Sequence, residues 1–153
     1  MDAIQTQDAA VDYITGNRII VDSREQRPYK FDGAVVKALK TGDYSIEGYE
    51  DQIAIERKGF DDLFGCLTSS LPRFRKQLQR LGQVPYSAVL LDTTVSALLM
   101  GHPICRLPGD KALSSVLALS LQYGVQFHFC DRRGAEYCSA LLHLFLKRVR
   151  RPK

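Results

Sequence analysis

Hydrophobic residues in the first half of the chain occur in short runs rich in β-branched side chains. The runs cover residues 18–22, 35–39, 44–47 and 52–57, and glycine or charged residues separate them. Short apolar runs bounded by turn residues are typical of strands. We therefore expect four strands here, following one another as a meander.

Farther along the chain the spacing of hydrophobic residues becomes helical, with a repeat every three to four positions. The elements expected from this second half are a helix pair across 60–81, a strand at 86–92, a helix at 111–123 opened by Gly109, a strand at 125–130 and a helix at 134–150. Strands that alternate with helices predict an α/β protein. We expect three layers, α/β/α, with a central mixed sheet and helices on both faces.

The chain has 153 residues and a mass of 17.2 kDa, which suits one domain with its own core. We expect a polar arm at residues 1–17 and the domain at 18–153. No apolar run approaches the ~20 residues that span a bilayer, and the acidic start resembles no export signal. The four cysteines lack C-x-x-C spacing, so we expect reduced thiols in a soluble, cytoplasmic protein. A nucleotide cofactor is not expected, because no phosphate-binding G-x-x-x-x-G-K motif occurs.

Charge is distributed unevenly along the chain. The formal net charge of +4 is only a weak sign of an anionic partner. Basic residues crowd into segments 73–80 and 147–153, whereas acidic residues concentrate between 22 and 62. A protein that holds and cuts DNA needs both, since basic residues neutralise phosphates and acidic residues hold cations. For the last segment the alternative is that the basic residues serve only the helix dipole.

Candidate chemistry lies in the turn before the third strand and in the strand that follows it. If residues 52–58 form a strand, alternation places Glu56 and Lys58 on one face. Asp43, in the turn, reaches the same place, so two carboxylates and an amine converge. Such a group suits phosphodiester hydrolysis, because carboxylate oxygens hold Mg²⁺ while the amine orients or helps to deprotonate water. The alternative is that Glu56 and Lys58 form a solvated ion pair on an exposed strand.

Three motifs, in this order, resemble the nuclease domain of the XPF family. They are V-D-S-R-E-Q-R from Val21, T-G-D-Y-S-I from Thr41 and I-E-R-K-G-F-D-D-L from Ile55. The central family motif is G-D, a gap, and then E-R-K-x-x-x-D. A weaker likeness extends over residues 18–150.

This resemblance implies a restriction-endonuclease-like core that cuts DNA with Mg²⁺, for which Mn²⁺ substitutes. It implies that Asp43 and Glu56 bind one or two ions and that Lys58 attends the attacking water. Asp22 and Asp62 match further acids expected near the metal, as direct or water-mediated ligands.

Other residues are expected to contact carboxylates or DNA. Arg57 and Arg24 are expected to hold carboxylates or phosphates, the alternative being that they are counter-ions for nearby acids. Gln77 is expected at the scissile phosphate or its water, the alternative being a surface amide. The expected catalytic residues are Asp22, Asp43, Glu56, Arg57 and Lys58. The expected DNA-binding residues are Arg24, Arg27, Arg73, Arg75, Lys76, Gln77, Arg148, Arg150 and Arg151.

The function expected from these features is metal-dependent endonucleolytic cleavage of branched or otherwise structured DNA, in repair or recombination. The short segment 27–35 resembles compact single-domain versions of the family from bacteria and phages. One alternative is a non-catalytic DNA-binding partner subunit of the same fold, and another is a junction resolvase or DNA-end nuclease. DNA is the expected partner, and self-association into a homodimer is left open.

Overall fold

The computed structural model of this protein describes residues 17–151, so all but the last residue of the expected polar arm lies outside the described residues. Within this range the chain forms six strands and five helices. The strands are β1 (Ile19–Asp22), β2 (Val35–Lys37), β3 (Tyr44–Ile46), β4 (Ile53–Gly59), β5 (Tyr86–Asp92) and β6 (Gln126–Phe129). The helices are α1 (Phe60–Cys66), α2 (Leu71–Gly82), α3 (Val95–Met100), α4 (Gly109–Tyr123) and α5 (Gly134–Arg150).

The strands form one mixed sheet in the order β2-β1-β3-β4-β5-β6. Strand β3 is antiparallel to both of its neighbours, β1 and β4. The other pairings are parallel, so five strands end at the same side of the sheet, here called the carboxyl edge. The side at which they begin is called the amino edge. Because loops at a carboxyl edge lie side by side, residues far apart in sequence meet there.

Helices cover both faces of the sheet, as alternation along β5 shows. Val89 and Leu91 pack with α1 to α4 in one cluster of buried residues. Ala88 and Leu90 pack with α5 in a second cluster on the other face. Two apolar faces of one sheet, each covered by helices, give the three-layer architecture. The predicted α/β/α fold with a mixed sheet is therefore confirmed.

Two details of the fold differ from the sequence-based expectation. The first four strands are not a meander, because β2 pairs parallel to β1 at the outer edge of the sheet and β3 pairs with the other side of β1. Helix α3 was not expected, because its six residues are too few to show a helical repeat. The strand at 86–92 and the helix at 134–150 are confirmed at the predicted bounds.

The remaining general expectations concern thiols and membranes. All four cysteines are free, and three of them are buried, which agrees with the expectation of reduced thiols. Across residues 17–151 we find no helix with the length and apolarity that crossing a bilayer requires.

Candidate active site

Asp43 is placed by a tight turn that lies directly against β4. Gly42 has a φ of +81°, in the left-handed region that favours glycine. An added Cβ there would lie 3.0 Å from the carbonyl oxygen of Ile55, so only glycine lets the turn come this close. The backbone N–H of Asp43 then donates to the Ile55 carbonyl at 2.7 Å. Its carboxylate accepts from the backbone N–H of Arg57 at 2.8 Å.

Glu56 and Lys58 lie on the same face of β4, the face covered by α1 and α2. The Lys58 ammonium lies 3.3 Å from a carboxylate oxygen of Glu56, and the two side chains are only 14% and 11% exposed. The interpretation as a solvated surface ion pair is therefore wrong, because this pair is largely shielded from water.

The carboxylates of Asp43 and Glu56 line a cavity of about 340 Å³ at the carboxyl edge of the sheet. Its acidic lining consists of Asp22, Glu25, Asp43 and Glu56. Its basic lining consists of Arg24, Lys40, Arg73 and Arg80. Helix α2 supplies Arg73 and Arg80 together with Gln77. The cavity thus has an acidic side and, on α2, a basic side that supplies two of its four basic residues.

Negative charge on the acidic side is incompletely compensated. Burial, followed by the charge of Glu56, raises the pKa of Asp43 to about 8, against the opposing effect of the Arg57 N–H. Burial likewise raises the pKa of Glu56, although Lys58 opposes this shift. The carboxylate of Glu25 raises both pKa values further. Two buried carboxylates that repel each other are stabilised by any cation that enters between them.

Lys58 remains an ammonium in this setting. Burial lowers its pKa, but attraction to Glu56 outweighs burial, so the pKa of Lys58 lies above its ordinary value. A charged lysine donates hydrogen bonds and cannot accept a proton. Lys58 can therefore act only as a hydrogen-bond donor here, and its role beside a water or a phosphate oxygen stays a prediction.

Comparison with known protein families shows which family this chain belongs to. A family model described as the ERCC4 domain matches residues 21–135, which is well over half of the chain. The chain belongs to the ERCC4 domain family. The matched region contains all three motifs described above, so the resemblance to the XPF-type nuclease domain is confirmed. Origin in a bacterium or phage stays a prediction.

Solved structures agree with the fold of this ERCC4 domain. XPF from Aeropyrum pernix matches with a TM-score of 0.65 and 23% identity, covering 86% of this chain and 66% of that chain. XPF from Aeropyrum pernix in complex with DNA matches with a TM-score of 0.66 and 23% identity, covering 89% of this chain and 68% of that chain. At this identity the likeness is one of fold. No curated protein sequence gave a significant match.

The ERCC4 domain holds Asp22 at the cavity through its own partners. Asp22 is 5% exposed, and one of its carboxylate oxygens accepts from the backbone N–H of Leu39 at 2.9 Å. The guanidinium of Arg24 pairs with the same carboxylate at 3.0 Å and donates to the Leu39 carbonyl at 2.6 Å. Asp22 and Arg24 thus fix the segment that carries Lys40 beside the carboxylates.

Several residues expected at the site lie elsewhere in the ERCC4 domain. Asp62 is exposed in the first turn of α1 and does not line the cavity. Arg150 lies at the amino edge, where its guanidinium donates to the Tyr49 hydroxyl at 3.2 Å and to the side chain of Asn17. The neighbouring Arg148 and Arg151 are exposed near the same end of α5. The structure does not bring these residues together with Asp43.

Three further expected DNA-binding residues lie outside the cavity lining. Arg75 and Lys76 are exposed on α2 and do not line the cavity to which Arg73 and Arg80 contribute. Arg27 is exposed, and its carbonyl accepts from the guanidinium of Arg57 at 2.6 Å.

Glu25 is a site residue that the sequence analysis missed. It lines the cavity, and the hydroxyl of Tyr44 lies 3.4 Å from its carboxylate. The signal for it was present, because Glu25 belongs to the V-D-S-R-E-Q-R motif. Its place beside Asp43 depends on the path of the loop after β1, which the local pattern does not reveal.

The metal-free protein should lose stability as the pH rises from about 4 to 8. The folded state holds the proton of Asp43 more tightly than the unfolded chain does, so raising the pH through this window costs folding free energy. We expect a loss of several kcal/mol in the free energy of unfolding, since one unit of pKa shift is worth about 1.4 kcal/mol. Urea unfolding in chelator at several pH values measures this.

Asp43→Asn is the matched variant for the pH series, because the amide oxygen still accepts from the Arg57 N–H without carrying charge. We expect its stability to vary less over the same pH range. An equally steep loss in wild type and variant would contradict the assignment to Asp43.

Proposed function

We propose that this ERCC4 domain is a divalent-metal-dependent endonuclease that hydrolyses phosphodiester bonds in branched or otherwise structured DNA. One observation carries the proposal. The buried carboxylates of Asp43 and Glu56, with Lys58 beside them, face the basic side of α2 across one cavity. Acids that attract cations and bases that attract phosphates are the two groups that metal-assisted cleavage of DNA requires.

The residues of the cavity suit Mg²⁺ or Mn²⁺. Both ions prefer carboxylate oxygens, and the raised pKa values of Asp43 and Glu56 come from burial and from neighbouring carboxylates, which a bound cation would offset. Among residues 17–151 no three acidic, histidine or cysteine side chains are already arranged around one point. This is compatible with Mg²⁺, which is typically held by one or two carboxylates while water and substrate phosphates complete its shell.

Asp43 and Glu56 would hold the ion, and Asp22 and Glu25 would add negative charge around it. When bound, the metal supplies charge stabilisation at the phosphoryl oxygens and lowers the pKa of water. The ammonium of Lys58 donates to the attacking water or to a phosphate oxygen and so fixes its direction of approach. Burial of the Glu56–Lys58 pair keeps solvent from competing for these contacts.

A direct assay tests this proposal. Labelled forked, flapped, four-way, linear duplex and single-stranded DNA are incubated with the purified protein in Mg²⁺, in Mn²⁺ or in chelator. We expect internal cuts in the branched substrates with either ion and none in chelator. A preference for four-way junctions or free ends would instead support the resolvase or end-nuclease alternative.

The non-catalytic alternative makes a different prediction for the same protein. A DNA-binding partner subunit would bind the branched substrates without cutting any of them. Calorimetry with Mn²⁺ separates the two, since a nuclease takes up the ion at the acidic side of the cavity. Absence of both Mn²⁺ uptake and cleavage would overturn the proposed function.

The basic side of the cavity should account for more of the DNA affinity than the rest of α2. We expect Arg73→Gln with Arg80→Gln to weaken DNA binding about 10- to 30-fold and to reduce the salt dependence by about two ions. Fluorescence anisotropy in chelator at several salt concentrations measures both quantities.

Arg75→Gln with Lys76→Gln is the matched control, because it removes two charges from the same helix at residues that do not line the cavity. We expect its affinity to stay within about threefold of wild type. Equal losses in the two double variants would show that the cavity side of α2 has no special role. Homodimer formation is a separate matter and stays a prediction.

A further inference from the structure

The side chain of Arg57 contacts several protein groups on the face of β4 opposite to Glu56 and Lys58. Its guanidinium pairs with the Asp92 carboxylate at 2.6 Å and donates to the Arg27 carbonyl at 2.6 Å. Its carbon atom Cζ lies 3.7 Å from the centre of the Tyr29 ring. Two nitrogen atoms and one face of the guanidinium are therefore in contact with protein groups. From the sequence, Arg57 was expected to hold either a carboxylate or a phosphate. This geometry favours the carboxylate.

Tyr29 is half-buried and is held by hydrogen bonds and ring stacking. Its hydroxyl donates to the Asp92 carboxylate, and its ring stacks on the ring of Tyr44 with centroids 5.4 Å apart. Its backbone N–H donates to the Tyr44 hydroxyl at 2.9 Å. A Cβ on Gly134 would overlap the Tyr29 hydroxyl, so the first turn of α5 packs against this hydroxyl.

Two structural connections link Arg57 and Tyr29 to residues of the cavity. The backbone N–H of Arg57 donates to the Asp43 carboxylate at 2.8 Å, so placing Arg57 also places an orienting donor for Asp43. The loop between β1 and β2 passes from Glu25, which lines the cavity, to Tyr29, which packs with the α5-side cluster. Fastening Tyr29 therefore fixes the loop that carries Glu25.

We propose that Tyr29, Arg57 and Asp92, here called the clamp, are positioning residues that hold Asp43 and Glu25 in place and do not contact DNA. This inference rests on the proposed nuclease function for its kinetic test. Removing a partner from the clamp loosens the geometry of the carboxylates while leaving the basic side of the cavity unchanged. The clamp thus serves catalysis after binding, whereas a phosphate-binding Arg57 would serve binding itself.

Conservative variants of the clamp distinguish these roles. Asp92→Asn removes the charge that Arg57 pairs with, Tyr29→Phe removes one hydrogen bond but keeps both stacking contacts, and Arg57→Lys keeps only the charge. Loss of such supporting contacts typically costs about 10- to 100-fold. We expect kcat to fall by that factor in Asp92→Asn and Arg57→Lys, and less in Tyr29→Phe. KM and the DNA dissociation constant should stay within about twofold.

The double variant Arg57→Lys with Asp92→Asn tests whether the two residues act as one unit. We expect its kcat to be no lower than that of the single variant with the lower kcat. The effects of two substitutions in one hydrogen-bonded network are not additive. Glu47→Gln is the matched control, since Glu47 forms an ion pair with Arg18 at the amino edge. It should leave kcat unchanged.

Contact with DNA would produce another result. Arg57→Lys would then raise the DNA dissociation constant about tenfold or more and reduce its salt dependence, while Asp92→Asn would leave kcat unchanged. That outcome would overturn the proposal that the clamp residues act only by positioning. The proposal would also be overturned if the fold loss of kcat in the double variant equalled the product of the losses in the two single variants.

A readout without metal or DNA separates this inference from the proposed function. Hydrogen–deuterium exchange in chelator should become faster at residues 23–29 in Asp92→Asn and Tyr29→Phe, and should stay unchanged in the turn between β3 and β4 at the amino edge. Unchanged exchange at 23–29 would overturn the clamp even if the protein cuts DNA. If wild type cuts no DNA, the proposed function fails, whereas faster exchange at 23–29 would still support the structural role of the clamp.

Discussion

Replacing Asp43 by asparagine should reduce DNA cleavage by about 10²- to 10³-fold while DNA binding stays intact or becomes stronger. The variant removes an anionic ligand from the site at which transition-state charge has to be stabilised, and a single contact of that kind is worth about 10²- to 10³-fold in kcat. Above about pH 8, where the pKa of Asp43 leaves its carboxylate charged without metal, the variant also removes a negative charge that faces the incoming phosphate. Single-turnover cleavage in Mg²⁺ and anisotropy in chelator measure the two effects separately.

Asp51→Asn is the control for that variant, because it makes the same chemical change at an exposed turn between β3 and β4, at the amino edge. We expect it to cut at the wild-type rate. Cleavage by Asp43→Asn at the wild-type rate would refute the role of Asp43 as a metal ligand. Weaker DNA binding by Asp43→Asn would contradict the electrostatic part of the prediction.

The parts of the fold that the sequence predicted well are those in which local pattern and burial agree. Strand β5 is a continuous apolar run, and it has the bounds that its hydrophobic pattern predicts. Helix α5 likewise repeats its buried residues at helical intervals. The convergence of Glu56 and Lys58 followed from strand alternation alone, and that of Asp43 from the turn before β3.

The parts that were not predicted depend on contacts between distant segments. Which strand pairs with β1 is one example, because β2 has only three residues and carries no local mark of parallel pairing. Arg150 is another, since its distance from the carboxylates follows from the direction in which α5 crosses the sheet. The same holds for Arg57, whose partners Asp92 and Tyr29 come from separate loops and strands.

Replacing Gly42 by alanine should impair both folding and cleavage. The left-handed backbone at this residue strains any side chain by about 1–3 kcal/mol. The new Cβ would also lie 3.0 Å from the Ile55 carbonyl and 3.2 Å from the Ala54 Cβ, closer than such contacts normally are. Relief requires the turn to move away from β4, which lengthens the hydrogen bond between Asp43 and Ile55 and displaces the carboxylate. A displacement of about 1 Å at reacting groups can cost about 10²-fold in rate.

Gly48→Ala separates backbone strain from this displacement. Gly48 has a φ of +88°, but an added Cβ would meet only the side chain of Asn17, at 3.9 Å, and the turn lies at the amino edge. Both variants should therefore lose stability in urea unfolding, Gly42→Ala by the larger amount. Only Gly42→Ala should also lose about 10²-fold in single-turnover cleavage, measured at a temperature where both variants are folded. Equal cleavage by the two variants would mean that close contact between the Gly42 turn and β4 is not what places Asp43 for catalysis.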